Sequence, residues 1–458
     1  MAGYTTTNPA TGQTDHEFSA LDDDGIQNVL RRTDSAFPAW RATPSSERAA
    51  ALERTADLYS ARAPQLAELI ATEMGKPLRQ GLEEVELAAS IYRWYAVHGP
   101  DLLADEQIDP QGAQESLVQT APIGPLVGVM PWNYPYYQVA RFVAPNLMAG
   151  NTIVLKHAGI CAASSAVMAE MLHEAGVPQD AYINAYASHD QLADMIADPR
   201  IRGVSLTGSE KAGAAVAENA GAHLKKSVLE LGGSDPLIVL EDADVDAVAR
   251  EVAAARLSNA GQACNSPKRI IVPEAMKDRF LAIVVEEFEG ATVGDPRSED
   301  VAVGPLSSVG ARDGVVEQVD RAVSQGAILH TGGSALEGEG AFMRPAVLTG
   351  VTKEIDAYEE EIFGPVAVIH TYTTIEDAIA LANDVSFGLS GSMWGRDLED
   401  AQAVADRLEV GMAYVNEHGT TLPGLPFGGV KRSGFGRELG RWGMGEFVNV
   451  RLRRTSAA

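Results

Sequence analysis

The stretch that decides the fold is LVGVMPWNYPYYQVARFVAPNLMAGNTIVLK, residues 126–156. Two short apolar runs, at 126–130 and 152–155, flank a segment whose apolar residues recur with helical spacing over Tyr137–Met148. Short apolar runs that alternate with helices predict a parallel sheet covered by helices on both faces. The alternation continues to about residue 258 and resumes from Arg269 to Val415. We therefore expect an α/β protein with two such units.

The segments outside this alternation have other patterns. From Asp22 to Glu106 apolar residues recur every three or four positions, which predicts helices. The polar stretch 107–121 contains the strand-like run SLVQ, and the tail EFVNVRLRR is typical of a terminal strand. If these two strands pair, they form a small projecting sheet whose open edge invites another subunit.

Composition excludes several classes of protein. The net charge of −27 opposes binding to nucleic acid or to an anionic membrane surface. No apolar run reaches the ~18 residues that a membrane-spanning helix needs. Two cysteines, Cys161 and Cys264, cannot build a disulfide framework, and their spacing is not that of a metal site. We expect a cytoplasmic protein without a metal.

The stretch NAGQACNS, residues 259–266, holds one of the two cysteines among small and polar residues. A buried structural cysteine usually lies in an apolar run. Cys264 is therefore either incidental or a nucleophile that a substrate can reach.

Two other polar residues stand where strands are expected to end. Glu230 follows an apolar run and precedes two glycines, so a desolvated carboxylate there can act as a general base. Its ordinary alternative is a carboxylate turned into solvent. Asn133 lies between Pro131 and Pro135, which fix the backbone, so its amide can donate to a developing oxyanion. A structural turn explains Asn133 equally well.

Further signals suit a dinucleotide. Thr207, Gly208 and Ser209 lie directly between a strand and a helix, where free N–H groups favour a pyrophosphate. A tight turn with an N-cap is the simpler explanation, and no GxGxxG motif is present. Lys156 ends a parallel strand, at the sheet edge where α/β proteins bind ligands.

Together these residues resemble the aldehyde dehydrogenases over essentially the whole chain. Seven blocks carry the resemblance in order: PIGPLVGVMPWNYP, VLKHA, SLTGSEKAG, LELGGSDP, NAGQACNSPKR, EEIFGPV and LPFGGVKRSGFGRELG. The resemblance implies that Cys264 attacks the aldehyde and that Asn133, with the Cys264 N–H, stabilises the oxyanion. It also implies that Glu230 activates the water that hydrolyses the thioester.

The resemblance also implies a cofactor site for NADP or NAD. Its residues are Trp132, Lys156, Gly159, Thr207, Gly208, Ser209, Leu231, Gly232, Glu361 and Phe363. Family members that use NAD often carry Glu at the third position after the lysine, and members that prefer NADP often carry Ser. Gly159 stands there, so no carboxylate repels a 2′-phosphate, and NADP is slightly favoured.

For the substrate, Arg141 is the informative residue. It lies eight positions after Asn133 on the helix that would line the aldehyde tunnel, as in succinate-semialdehyde dehydrogenases. A guanidinium there can bind a distal carboxylate bidentately, with Thr421 offering a hydroxyl. Tyr137 and Phe427 are expected beside them. Some members have a second arginine where this chain has Ser258.

The main hypothesis is therefore NAD(P)-dependent oxidation of an ω-carboxyl aldehyde, first of all succinate semialdehyde to succinate. A closely related enzyme for glutarate or 2-oxoglutarate semialdehyde is the nearest variant of this hypothesis. The alternatives are a broad-specificity or betaine-aldehyde-type dehydrogenase and a catalytically silent nucleotide-binding protein.

The fold that the resemblance implies has a Rossmann-type cofactor domain, an α/β catalytic domain and a small β extension for oligomerisation. Residues 1–106 and 122–231, with 426–444 returning, would form the first, residues 232–425 the second, and residues 107–121 and 445–458 the third. Homodimers or homotetramers are expected.

Overall fold

The computed structural model describes residues 4–456, which form fourteen α-helices and twenty β-strands. The helices are α1 Asp23–Ala42, α2 Ser45–Ala61, α3 Ala63–Met74, α4 Leu78–Leu102, α5 Pro135–Ala149, α6 Ala162–Glu174, α7 His189–Ala197, α8 Glu210–Ala222, α9 Val245–Leu257, α10 Lys277–Gly290, α11 Val309–Ser324, α12 Ile375–Asn383, α13 Leu398–Ala405 and α14 Gly440–Glu446. The strands are β1 Tyr4–Thr7, β2 Thr14–Phe18, β3 Glu106–Gln107, β4 Glu115–Pro122, β5 Pro125–Met130, β6 Thr152–His157, β7 Tyr182–Asn184, β8 Gly203–Thr207, β9 Lys226–Glu230, β10 Pro236–Val239, β11 Arg269–Pro273, β12 Ile328–Thr331, β13 Ala346–Thr349, β14 Val366–Tyr372, β15 Phe387–Gly388, β16 Ser390–Trp394, β17 Met412–Val415, β18 Val430–Lys431, β19 Gly434–Phe435 and β20 Val448–Thr455.

The first large sheet has the strand order β19-β9-β8-β5-β6-β7 and is parallel except for β19. In its centre Leu126 of β5 pairs with Ile153 of β6 on one side and with Gly203 of β8 on the other. All six residues of β6 are buried, as expected for a strand covered on both faces. The parallel sheet predicted from residues 126–156 is therefore confirmed.

The second large sheet has the order β12-β13-β14-β11-β10-β16-β17 and is parallel except for β12. The chain crosses from the first sheet to the second between Glu230 at the end of β9 and Pro236 at the start of β10. Both large sheets are thus α/β units, as the alternation predicts. The domain boundaries expected from the sequence stay a prediction.

A third sheet has the order β20-β4-β3. Its strands β20 and β4 pair antiparallel, from Val448 opposite Pro122 to Thr455 opposite Glu115. This confirms the expected pairing of the tail with the SLVQ run. On the edge strand β20, Val450 is 67% exposed and Leu452 is 61% exposed. The role of this edge in oligomerisation stays a prediction.

The hairpin β1–β2 was not expected from the sequence. Its polar, threonine-rich residues carry no alternation of apolar and polar side chains. The hairpin is held instead by distant contacts, such as the Tyr4 ring on Tyr186, with ring centroids 5.0 Å apart.

Within residues 4–456, none of the helices combines the length and the apolar character needed to cross a membrane.

Candidate active site

Cys264 lies where two cavities meet. A cavity of about 300 Å³ extends from it along the carboxyl ends of β8 and β9, and one of about 200 Å³ extends along α5. Cys264 and Gln138 line both cavities. The thiol is free, and its side chain is only partly exposed. A molecule in either cavity therefore reaches the same sulfur atom.

The turn that precedes Cys264 has a left-handed backbone. Asn259, Ala260 and Gly261 have φ values of 51°, 52° and 71°. This conformation costs of order 1 kcal/mol or more for Ala260, so surrounding contacts must hold it. A Cβ on Gly261 would clash with the main chain of Gly364, which explains the glycine.

Arg256 supplies such contacts. Its side chain is fully buried, and its guanidinium donates to the carbonyls of Gly261 (3.1 Å), Ile362 (2.7 Å) and Gly364 (2.6 Å). The turn before the nucleophile is therefore joined to the segment that carries Glu361 and Phe363. This role of Arg256 is not visible in the sequence, because one arginine in a helical pattern carries no signal of what it will contact.

Asn133 is held beside the thiol. Its Nδ2 donates to the carbonyl of Gln262 at 3.0 Å, and its Oδ1 accepts from Gln138 Nε2 at 3.1 Å. The amide orientation is therefore set, and its second N–H remains available to the larger cavity, which Asn133 lines. Among residues 4–456 the Cys264 main-chain N–H has no hydrogen-bond acceptor. Two donors can thus serve one developing oxyanion.

Glu230 lies in the same cavity and is 2% exposed. Neither carboxylate oxygen has a hydrogen-bond partner among the described residues. Burial raises the pKa of Glu230 well above its usual range, against the opposing charge of Arg141. A Cβ on Gly428 would lie 2.6 Å from Glu230 Oε1, so glycine there leaves room for the carboxyl group. A carboxyl group with a raised pKa is suited to act as a general base.

The thiol of Cys264 has a raised pKa as well. Burial raises the pKa to about 11, while the positive charges of Lys268 and Arg141 lower it. The Cys161 thiol is fully buried, and burial raises its pKa well above the ordinary value. Cys264 is therefore the more accessible of the two thiols.

The larger cavity fits one end of a dinucleotide. It is lined by Trp132, Thr207, Gly208, Ser209, Leu231, Gly232, Glu361 and Phe363. Ser209 caps α8 by accepting from Ala212 N at 3.3 Å, and the N-terminus of this helix favours an anion. Ser209 also borders a separate groove of about 870 Å³ between α7 and α8, so the two spaces share this residue at the start of α8.

Lys156 and Gly159 lie apart from these cavities, at and just beyond the carboxyl end of β6. Lys156 is buried, with its Nζ 5.7 Å from the centroid of the Tyr4 ring. A Cβ on Gly159 would meet this ring at an ordinary 3.6 Å. Space beside β6 is therefore bounded by the β1–β2 hairpin, which the sequence did not predict.

The smaller cavity is lined by Tyr137, Arg141, Thr421 and Phe427 together with Cys264. Arg141 is 1% exposed and donates to the hydroxyls of Tyr137 (3.0 Å) and Thr207 (3.1 Å). Its guanidinium also lies 4.3 Å from the centroid of Phe427. All the expected substrate residues therefore surround one space.

Arg141 has a partner that sequence analysis missed. Glu438, also buried, forms an ion pair with the Arg141 guanidinium. Burial raises the pKa of Glu438, and the charge of Arg141 lowers it. Arg141 is thus not a solitary cation at the end of the cavity but half of a buried pair.

The site combines a cysteine beside two N–H donors, a buried carboxyl group and a helix N-terminus that favours an anion. This combination is typical of a dinucleotide-dependent enzyme with a cysteine nucleophile. The chain belongs to the aldehyde dehydrogenase family, whose model matches residues 2–452. It is 47% identical to a succinate-semialdehyde dehydrogenase [NADP(+)] of Deinococcus radiodurans, over 98% of this chain and 94% of that relative.

Two further comparisons agree. A succinate semialdehyde dehydrogenase [NAD(P)+] of Escherichia coli is 40% identical over 97% of this chain and 96% of its own. The crystal structure of succinic semialdehyde dehydrogenase from Streptococcus pyogenes in complex with NADP+ matches with a TM-score of 0.97 and 40% identity. That match covers 99% of this chain and all of the other. The fold expected from the resemblance is therefore confirmed.

Proposed function

We propose that this protein oxidises succinate semialdehyde to succinate with NADP or NAD as oxidant. The observation that carries the proposal is the cavity of about 200 Å³ that has Cys264 and Arg141 in its wall. Such a space suits a short aldehyde with a carboxylate at its far end. The names of the relatives from Deinococcus radiodurans and Escherichia coli support the same substrate.

In the first step the Cys264 thiolate attacks the aldehyde carbon, and the carbonyl oxygen becomes an oxyanion. The second N–H of Asn133 and the Cys264 main-chain N–H can donate to that oxygen, because neither has another acceptor among residues 4–456. The product is a thiohemiacetal on Cys264. Hydrogen bonds with Gln138 and the Gln262 carbonyl hold the Asn133 amide in one orientation, so its N–H need not reorient when the oxyanion forms.

When bound, a nicotinamide dinucleotide would supply the hydride acceptor for oxidation of this thiohemiacetal to a thioester. Its binding residues would be those that line the larger cavity, with Ser209 and the N-terminus of α8 at the pyrophosphate. Glu361 is suited to ribose hydroxyls because it is a carboxylate at the wall of this cavity.

Glu230 then removes a proton from water, whose oxygen attacks the thioester carbon and releases the carboxylic acid and the Cys264 thiolate. Overall the aldehyde and water yield the acid, one hydride and one proton. The raised pKa of Glu230 matches the demands of this step, since a stronger base takes the proton of water more readily.

Arg141 and Thr421 would bind the distal carboxylate. Glu438 offsets part of the positive potential of Arg141, so the substrate carboxylate would share the guanidinium with Glu438. This sharing still discriminates, because an uncharged aldehyde gains nothing from either Arg141 or the Thr421 hydroxyl.

For the cofactor, NADP is slightly favoured. Gly159 contributes no carboxylate that would repel a 2′-phosphate at this position. Relatives named for NADP support the preference.

We further propose a homodimer or homotetramer in the cytoplasm, with no nucleic acid or membrane as partner. The exposed Val450 and Leu452 on the edge strand β20 support pairing with another subunit, and a catalytic free thiol suits a reducing compartment.

The test is formation of reduced cofactor with succinate semialdehyde and with butanal, with NADP and NAD in turn. We expect a kcat/KM for the carboxylated aldehyde at least ~10-fold higher, and Arg141→Ala should remove most of this difference. Equal kcat/KM for the two aldehydes in the wild-type protein would refute the substrate proposal but leave the dehydrogenase activity intact.

A further inference from the structure

A buried lysine lies four residues after the nucleophile. Lys268 directly precedes β11, and its side chain is 4% exposed. Its ammonium donates to the carbonyls of Cys264 at 2.7 Å and Ala263 at 2.9 Å. The two peptide units that flank the Cα atom of Cys264 are therefore held by one cation.

The same ammonium reaches the cofactor cavity. Lys268 Nζ lies 3.4 Å from Glu361 Oε1, and this oxygen also accepts from Gly233 N at 3.1 Å. Glu361 and Cys264 line the same cavity. Lys268 thus connects the main chain of the nucleophile to the carboxylate at the cavity wall, through direct contacts on each side.

The charges around the thiol have opposite effects. The Lys268 ammonium is the strongest influence that lowers the pKa of the Cys264 thiol, ahead of Arg141, whereas the carboxylates of Glu361 and Asp235 raise it. Other ionisable groups that face this region are the buried Glu230, Tyr134, Tyr137 and Tyr414. Among these groups Lys268 alone contacts both the Cys264 main chain and a carboxylate of the larger cavity.

We propose that Lys268 is a positioning residue for the Cys264 thiol. Its ammonium fixes the Cys264 main chain, and its positive charge counteracts the effect of the negative Glu361 carboxylate on the thiol. The proposal rests on the proposed function of Cys264 for its catalytic meaning. The effect of Lys268 on the pKa of the Cys264 thiol can be measured without turnover. The contacts of the ammonium with two carbonyls and one carboxylate mainly hold the main chain in place. The positive potential that the carboxylate does not offset favours the thiolate over the thiol.

The first experiment measures iodoacetamide alkylation of Cys264 against pH in cofactor-free protein, with the Cys264 peptide followed by mass spectrometry. Lys268→Met should raise the apparent pKa of the thiol by ~1 unit, and Glu361→Gln should lower it. In the double variant the two shifts should be coupled rather than additive, because the two groups touch. Unchanged profiles in both single variants would overturn the proposal.

A matched control is available at Lys431. Its ammonium also contacts two carbonyls, those of Asn383 and Val385, and a carboxylate, that of Glu409 at 2.6 Å, but it lines neither cavity at Cys264. Lys431→Met should leave the alkylation profile unchanged. If it moves the profile as Lys268→Met does, the effect is a general loss of folding and the proposal fails.

A kinetic measurement completes the test. Lys268→Met should lower kcat ~10-fold or more while the KM for the aldehyde changes little, and Lys268→Arg should recover part of kcat. If Lys268→Met does not fold, the alkylation profile of Glu361→Gln decides. The proposal is overturned if that profile does not shift to lower pH, because removal of the Glu361 charge should then leave the Lys268 charge unopposed at the thiol. Loss of the proposed function would instead be seen as full activity of Cys264→Ala, which is a separate result.

Discussion

Arg141, which lines the smaller cavity at Cys264, forms a buried ion pair with Glu438 in the sequence-distant segment 426–444. Breaking such a pair by removing one charge is destabilising, because the other charge is left buried without a partner. The pair therefore contributes both to the stability of the protein and to the electrostatic potential at the place where an ω-carboxyl substrate would bind.

Glu438→Gln should separate these two effects. We expect the free energy of unfolding in urea to fall by about 3 kcal/mol. We also expect the kcat/KM ratio of succinate semialdehyde over butanal to rise roughly threefold to tenfold, because the positive charge of Arg141 is then no longer offset by a carboxylate. Ser205→Ala is the control, since Ser205 Oγ donates to Glu438 Oε1 at 3.1 Å without adding charge. A ratio that does not change would argue that Arg141 does not contact the substrate.

Replacement of the two cysteines should have very different effects. Cys264→Ala should reduce the rate of reduced-cofactor formation by ~10³-fold or more, because no thioester can form. Cys161→Ala removes a fully buried thiol and should cost about 1–2 kcal/mol in the free energy of unfolding while leaving kcat within about twofold. Comparable losses of activity in both variants would contradict the assignment of Cys264 as the nucleophile.

Glu230→Gln should arrest the reaction at the thioester. We expect one equivalent of reduced cofactor in a burst, a steady-state rate lower by ~10²-fold or more, and an acyl group on Cys264 detected by mass spectrometry. Glu83→Gln, an exposed carboxylate on α4, is the control. A variant that turns over without acyl-enzyme accumulation would exclude Glu230 as the base of hydrolysis.

The same carboxyl group predicts a pH dependence. Burial raises the pKa of Glu230 well above the ordinary pKa of a glutamate. The ionised, basic fraction of Glu230 therefore increases as the pH rises from that ordinary pKa towards the raised pKa. Hydrolysis of the thioester, measured by single-turnover release of acid, should therefore accelerate with pH over this interval. The acceleration should disappear in Glu230→Gln.

Gly159→Glu should change the cofactor preference. Among residues 4–456, a Cβ at this position meets only the Tyr4 ring, at an ordinary contact distance of 3.6 Å, so the position tolerates a Cβ. The new carboxylate would repel a 2′-phosphate, and we expect the ratio of kcat/KM for NADP over NAD to fall ~10-fold or more. Gly159→Gln has nearly the same size without the charge and should change the ratio far less. Equal effects of Glu and Gln would point to steric exclusion rather than repulsion.

Much of the fold was predictable because its signals are local. The apolar run of β6 and the helical spacing of α5 lie within one short stretch, and both elements have nearly the expected bounds. The hairpin β1–β2 was missed, since its polar residues carry no periodicity and it is stabilised by contacts such as Tyr4 on Tyr186.

The site divides in the same way. The sequence by itself determined that Cys264, Glu230 and Asn133 are the candidates for the chemistry, because each lies in one of the seven ordered motifs that resemble the aldehyde dehydrogenases. Only the tertiary structure decided that Glu438 neutralises Arg141, that Arg256 joins the nucleophile's turn to the segment after Glu361, and that Lys268 contacts both Cys264 and Glu361. These pairings combine charged side chains with groups far along the chain, and the packing of the two sheets, rather than any local pattern, sets which groups a buried charge can reach.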